Sequence, residues 1–432
     1  MEITRNITKN SIKIGKLIVL VFIFFGFHYC STSHTPAKRH KNLSYLYNDS
    51  EILLHPRYQV YNLSKDSSEV FVKISISDLL IKDLGKDYDK YALLEIHYRL
   101  YESLSIGGLL DSSTFFHKIV VEENKPINVF SFKIKTPNYQ KTYLSIKIKD
   151  VFSERTRKDY LEIDKAYSVS RQSFLIKESQ TKELVFGSEL LLNKTYTIQS
   201  PLLKKHRLYI QEQKNIQTIA TPPASSERIP MVKLIPDTTY AFDGNTISFD
   251  KPRFVFLSFD TTRVKGIALF LHDSLYNYLH TPTQMIEPLR YLVDQKEYQE
   301  MLLDSNPKLA LDRFWLRTAS DVRHAEEMIK VYYHRVAVAN KYFSSYQQGW
   351  RTDRGMVYVI YGEPSKIYKS QILERWIYGT MDSERALTFD FDKRWSPFSD
   401  NNYRLVRGEN YKQSWSQAVS AWKDGRIYSI AK

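Results

Sequence analysis

The chain has 432 residues, 43% hydrophobic and 14% aromatic, which excludes a disordered chain and provides apolar surface for several cores. Its 62 Lys and Arg against 48 Asp and Glu leave a net charge of +14, the balance of a protein that works near anionic surfaces. The single cysteine, Cys30, excludes internal disulfides and a structural zinc site.

Arg5, Lys9, Lys13 and Lys16 lead into the apolar run Leu17 to Phe27, the plan of a signal peptide over residues 1–29. The run is about 11 residues long, whereas a membrane-spanning helix takes roughly 20. Cys30 lies just past it, followed by Ser31, Thr32 and Ser33. Phe27-His28-Tyr29-Cys30 resembles a lipoprotein cleavage box in which Tyr29 replaces the usual small residue. Acylation explains a lone cysteine in an exported chain, since a disulfide needs a partner; the alternative is an uninvolved thiol with cleavage elsewhere. The expectation is a bacterial lipoprotein held on a membrane by several acyl chains on Cys30. There a basic chain meets anionic headgroups and phosphorylated glycolipids rather than nucleic acid. Ser31 to Leu46, with Pro36 and Lys38-Arg39-His40-Lys41, lacks apolar periodicity, so residues 30–49 read as lipidated cysteine and flexible tether.

From about Arg57 the apolar residues alternate: Val70, Val72, Ile74 and Ile76; Phe130, Phe132 and Ile134; Leu144, Ile146 and Ile148. With turn signals at Lys125-Pro126 and Thr136-Pro137-Asn138, residues 50–165 read as a β-sandwich. Residues 166–278 read as a second β-rich, sandwich-like domain, with strands at Ser173 to Ile176, Leu184 to Phe186, Tyr196 to Ile198, Ile247 to Phe249 and Phe254 to Phe259. Within it, Lys204-Lys205-His206-Arg207 reads as a solvated basic loop. Thr221-Pro222-Pro223-Ala224-Ser225-Ser226 reads as extended, exposed chain, a linker or a binding tip.

Helix is expected after Pro282, with starts at Asp294 and at Asn306-Pro307. Ser320 is read as the cap of a longer helix in which Ala325, Met328, Ile329, Tyr332, Val336, Ala339 and Phe343 share a face, and Gly349 as its stop. Thr352-Asp353-Arg354-Gly355 has the composition of a tight turn, and Met356 to Tyr361 reads as a central strand, apolar on both faces. Trp376 and Tyr378, then Leu387, Phe389 and Phe391, alternate as further strands, while Trp415, Ala418, Val419 and Trp422 share a helical face. Residues 279–432 are therefore expected to be α+β.

The run from Gly349-Trp350-Arg351-Thr352-Asp353-Arg354-Gly355 through Tyr361-Gly362-Glu363-Pro364 resembles the signature of the GWxTD-domain family. Further similarity lies at Arg313-Phe314-Trp315, at Tyr333 to Phe343 and at Glu374-Arg375-Trp376-Ile377-Tyr378, so that the resemblance covers roughly residues 285–425. Where that family usually has an Arg-Asp-Pro run, this chain has Arg317-Thr318-Ala319-Ser320. The resemblance implies an envelope protein of the Bacteroidota and related bacteria. No acidic residue follows Cys30 until Asp49, which in that setting implies an outer-membrane lipoprotein facing the periplasm. Asp237-Thr238-Thr239, Asp260-Thr261-Thr262 and Asp273-Ser274-Leu275 resemble a short O-glycosylation sequon of the same setting.

Motifs for chemistry are not found. The eleven histidines are scattered without metal-site spacing, and neither a Gly-x-Ser-x-Gly elbow nor a phosphate-cradling loop occurs. Asp390 and Asp392 have the alternate spacing of an acid and base, but with Lys393 and Arg394 beside them they read as a solvated hairpin end. The candidate motif residues are Gly349, Trp350, Thr352, Asp353, Arg354, Gly355 and Trp376. Asp353 and Arg354 either face a ligand beside Trp350 or form a buried network at the helix-to-strand junction. The expected function is a non-enzymatic scaffold, without cofactor or metal, for subunits of an outer-membrane assembly or secretion complex. The alternative is a glycan or glycolipid receptor or hydrolase whose cleft is lined by Trp350, Trp376 and Trp395, with Asp353 as its acid.

Overall fold

The computed structural model describes residues 42–44, 47, 54–85, 89–103, 107–138, 140–166, 169–213, 218–225, 236–261, 266–272, 279, 281–370, 372–380, 386–396, 398–428 and 430. Cys30 and the rest of Met1–Lys41 lie outside them, and Asn42–Lys432 is the unit treated below. It is mostly β-sheet, in several sheets, with a C-terminal region that carries the helices.

The alternating segments form two antiparallel sheets. One has the order β1 (Arg57–Asn62), β2 (Ser67–Ser75), β5 (Ile127–Lys135); the other has the order β4 (Gly107–Val120), β3 (Tyr91–Ser103), β6 (Lys141–Asp150), β7 (Thr156–Asp164). Side chains alternate between the faces of a strand, so each sheet turns one apolar row inward. Val70, Val72, Ile74 and Ile134 of the first sheet share a single core with Ile96, Leu144, Ile146 and Ile148 of the second.

The next segment also builds two sheets: β10 (Thr195–Gln199) between β8 (Leu175–Glu178) and β13 (Thr246–Ser248), and a five-stranded sheet. The latter runs β12 (Thr238–Phe242), β11 (Leu208–Gln213), β14 (Arg253–Ser258), β15 (Gly266–His272), β9 (Glu189–Leu191), with β9 joining parallel to β15. The strand expected at Leu184 to Phe186 is reduced to an isolated bridge between Leu184 and Lys177. All seven residues of β15 are buried, because the sheet is covered on both sides. Val255, Leu257 and Leu269 face a core with Phe174 and Ile198, while Phe254, Phe256 and Phe270 pack with Phe398 from the C-terminal region.

That region begins with α1 (Pro282–Ile286), α2 (Gln295–Leu303) and α3 (Pro307–Thr318), which Thr281, Asp294 and Asn306 cap with their side chains. The long helix α4 (Val322–Phe343) buries the expected stripe from Ala325 to Phe343 except Ile329, which is half-buried; its cap is Asp321 rather than Ser320, and it ends at Phe343 rather than at Gly349. Gly349–Arg351 is a 3₁₀ turn leading into α5 (Asp353–Tyr361), where a tight turn and a central strand were expected. A sheet of β16 (Lys366–Lys369), β17 (Leu373–Tyr378), β18 (Leu387–Lys393) and β19 (Tyr403–Leu405) follows, then α6 (Lys412–Lys423), which buries Ala418 and Trp422. Among the described residues no helix is long and apolar enough to cross a membrane.

Two segments read as exposed linkers are instead docked on this region. The tether expected over Ser31 to Leu46 is not free at its end: Leu43 and Tyr47 are buried in the C-terminal core, and Leu43 N donates to Ile367 O at 2.8 Å. The proline loop is held as well. Ala220 N donates to Arg351 O at 2.9 Å, Pro223 is buried, and Thr221 O accepts from Arg407 at 3.0 Å. Neither segment has an apolar period, so the side chains that bury Leu43, Tyr47 and Ala220 and the backbone hydrogen bonds beside them are not marked in the sequence pattern.

Candidate functional site

Every residue of α5 is buried. A helix leaves its first N–H and last C=O groups without internal partners, and a buried one must find them among side chains. The residues from Gly349 to Arg354 form the solution at the N-terminal end. Thr352 caps the helix, its hydroxyl accepting from Gly355 N at 3.1 Å and donating to Gly349 O at 2.7 Å. The 3₁₀ turn lies against α4 and the start of α5: a Cβ on Gly349 would stand 1.9 Å from Ala339 O, and one on Gly355 1.9 Å from Gly349 O. Trp350 is completely buried, with its N–H on Asn340 Oδ1, its indole donating to Gln348 and its carbonyl accepting from Tyr291. Arg351 stacks on the Trp350 ring and pairs with Glu287 at 2.6 Å.

Asp353 and Arg354 are equally committed. Asp353 Oδ2 accepts from Leu405 N at 2.8 Å and from the Arg407 guanidinium at 3.1 Å, with Oδ1 on the same guanidinium. Arg354 lies between the rings of Tyr403 and Phe343 and donates to Glu374 Oε2 at 3.1 Å and to Asn401 O at 3.1 Å. Glu374 is fully buried and receives four donors: Arg354, Lys369 at 3.3 Å, the Trp376 indole at 2.8 Å and the Tyr47 hydroxyl at 3.1 Å. Burial alone would raise its carboxyl, yet Lys369 and Arg354, with the Trp376 hydrogen bond, hold it below its ordinary value. The Tyr47 hydroxyl is pushed up to about 12 by burial and by the Glu374 charge.

At the other end of α5 the carbonyls are covered from α4 and α6. Arg335 donates to Val359 O and Ile360 O at 3.3 and 2.9 Å, and Trp422 donates to Ile360 O at 3.0 Å. Burial lowers the Arg335 guanidinium to about 10. A cation suits the negative end of a helix dipole. Gly362 ends the helix at φ +80°, where a side chain would also strike Arg335.

Residues 254–424 match the GWxTD domain family. This part of the chain is a GWxTD domain. The match begins at β14, so the GWxTD module takes in β14 and β15 as well as the helices. A comparison with curated proteins returns no match. Solved structures similar to parts of the chain include Bacteroides uniformis beta-glucuronidase, at 10% identity and a TM-score of 0.17, with 28% of this chain and 13% of that one covered. A calcium-binding mutant of Bacteroides uniformis beta-glucuronidase 2 is similar at 11% identity and a TM-score of 0.16, with 24% and 12% covered. The chain thus spans only about an eighth of those enzymes' length, and scores this low carry no argument.

Within the GWxTD module the named motif residues, Gly349, Trp350, Thr352, Asp353, Arg354, Gly355 and Trp376, come together as one interior network rather than around an opening. The depression over its polar side measures about 30 Å³, room for water but not for a sugar ring. Trp350 and Trp376 are inside, and Trp395, 68% exposed, lines a different groove with Tyr143, Lys393 and Asp400. The three indoles do not share a cleft. Asp390 is paired in two hydrogen bonds with Arg375, and Asp392 with Arg394. Sequence reasoning gave no role to Glu374 or Arg335, which it met only within the runs of family similarity, and did not reach Arg407. A buried charge needs a partner, and that partner's position is fixed by tertiary packing. Cys30 lies outside the described residues; Thr238 and Thr239 of the first glycosylation-like tripeptide are exposed, while Thr262 and Asp273 to Leu275 are outside the description.

Proposed function

We propose that this chain is a non-enzymatic envelope lipoprotein, anchored through Cys30 to the outer membrane and facing the periplasm of a Bacteroidota-like bacterium. It acts as a scaffold subunit of an assembly or secretion complex, presenting two sandwich-like β domains and the GWxTD module to other proteins. The observation that carries this reading is the inward commitment of the GWxTD side chains. Thr352, Asp353, Arg354 and Glu374 hold one helix in place and clasp Tyr47 and segments from residues 218–223 and 401–407. Such a module organises the chain and leaves its exterior for partners. Support from sequence comes from the leader, Cys30 and the many tyrosines suited to interfaces.

Gentle detergent extraction through a C-terminal tag, followed by mass spectrometry, tests the proposal: stoichiometric membrane partners are expected. Recovery of the chain alone would overturn the scaffold role. Cys30→Ser is expected to abolish metabolic labelling by a fatty acid, and persistent labelling would move the anchor elsewhere. The alternative of a glycan receptor retains Trp395 alone of its three indoles.

A further inference from the structure

The outward face of the β4, β3, β6, β7 sheet carries an unbalanced set of cations. Residues directly opposite on neighbouring strands lie on the same face. The register places Thr114, His97, Lys147 and Lys158 in one row, Ser112, Arg99, Ser145 and Tyr160 in the next, and Phe116, Glu95, Lys149 and Thr156 on the other side. Lys147 thus faces Lys158 across one strand pair, a like-charge opposition that weakens a sheet, and His97 across the other. Charges nearby on this face are paired, Lys141 with Glu162 and Lys149 with Glu154. Arg99, Lys147 and Lys158 have no ion pair among the described residues, and Glu95 is the one carboxylate lining their depression. The depression measures about 330 Å³. With strands about 4.8 Å apart, its three basic columns span about 10 Å, the width of a phosphorylated headgroup. Burial holds the His97 imidazole below its ordinary value, and the positive charges of Arg99, Lys147 and Lys158 add to this.

The edge strand β4 adds a second feature to the same face. Leu109 faces Tyr101, Phe116 faces Glu95 and Val120 faces Tyr91, so three apolar side chains flank the basic rows. They stand in solvent, with Leu109 56% and Phe116 63% exposed. A basic field bordered by exposed apolar side chains is what an interfacial surface presents, cations to phosphates and apolar groups to the headgroup boundary.

We infer that this sheet face docks on an anionic lipid layer, with Arg99, Lys147 and Lys158 on lipid phosphates and Leu109, Phe116 and Val120 dipping between headgroups. The inference rests on the reading that the chain works at a membrane, but it does not depend on Cys30 as the anchor.

The test is sedimentation of the full chain with vesicles of phosphatidylcholine, alone or with about 30% phosphatidylglycerol, at low salt. Binding to the anionic vesicles is expected to exceed binding to the neutral ones by about tenfold or more. Lys147→Glu combined with Lys158→Glu removes that excess, at about fivefold or more per residue, and added salt does the same. Phe116→Ser, on an exposed side chain that the core does not need, lowers anionic binding without changing the thermal midpoint. The N-terminal leader is common to all variants, so it contributes no difference between them. Equal binding to both vesicle types overturns the inference, as does an excess that survives the double reversal. Protection of Lys147 and Lys158 from amine labelling by inorganic tripolyphosphate, without an anionic excess on vesicles, would replace the lipid by a soluble phosphate ligand. Either failure leaves acylation of Cys30 untouched, since labelling reads that separately.

Discussion

At Gly349 and Gly355 it is the missing side chain that matters, because backbone carbonyl oxygens occupy the space where a Cβ would stand. Neither obstruction is the end of a flexible side chain, so the backbone itself must move. Gly349→Ala and Gly355→Ala are each expected to cost about 3 kcal/mol or more, read as a lower urea midpoint. Glu374 has a different vulnerability. Its folded carboxyl lies below the ordinary value, so the stability it contributes is complete above the unfolded carboxyl's range and is lost as pH falls through the folded value. Glu374→Gln leaves Arg354 and Lys369 beside a neutral group, at a cost of about 3–5 kcal/mol at neutral pH. The difference between wild type and variant is expected to shrink as pH is lowered below about 4.5. A gap in urea midpoint that stays constant with pH would contradict this account. At this scale the motif glycines and Asp353 were visible in sequence as motif residues, with a ligand-facing and a buried reading of Asp353 both open. Glu374 and Arg407 were not, since each is defined by a partner some twenty to fifty residues away.

Among the elements, α5 shows most clearly where pattern reading fails. Met356 to Tyr361 is an uninterrupted apolar run, and when a helix is buried on all sides no polar face remains to mark its period. The signals that distinguish it lie at its ends: Thr352 followed by Asp353 is a cap with an acidic first turn, and Gly362 is a stop. α4, by contrast, has one face in solvent, and its stripe from Ala325 to Phe343 was readable. Thr352→Ala removes the hydroxyl that serves both Gly355 and Gly349, and about 1–2 kcal/mol of stability is expected to go with it. Thr352→Ser keeps the oxygen and is expected to restore most of it. If serine is as destabilising as alanine in thermal unfolding, the cap is not what the threonine supplies.

At the level of the whole molecule, the first β segment was legible because one face of each of its sheets is wet and the alternation survives, as in β2 and β3. Its docking on the C-terminal half was not, because Leu43, Tyr47 and Ala220 reach that core from stretches with no apolar period. Tyr47→Ala removes a ring packed against Phe343 and the hydroxyl on Glu374. It is expected to speed exchange of the Leu43 amide hydrogen, which is held by Ile367 O, while amides of the β2–β5 pairing keep their protection. Loss of protection in both places together would mean that the segment and the first β domain open as one.

The docked residues Leu43 and Tyr47 also decide where force enters. The chain reaches Leu43 and Tyr47 in the GWxTD core before it reaches β1, so tension arriving from the N-terminal side is resisted first by the Leu43 hydrogen bond and the Tyr47 contact with Glu374. The β domains lie downstream of that grip and carry no load until it slips. Pulling from the N-terminal side would therefore free Leu43 and then Tyr47, leaving the Glu374 carboxylate to Arg354, Lys369 and Trp376 while the sheets stay folded.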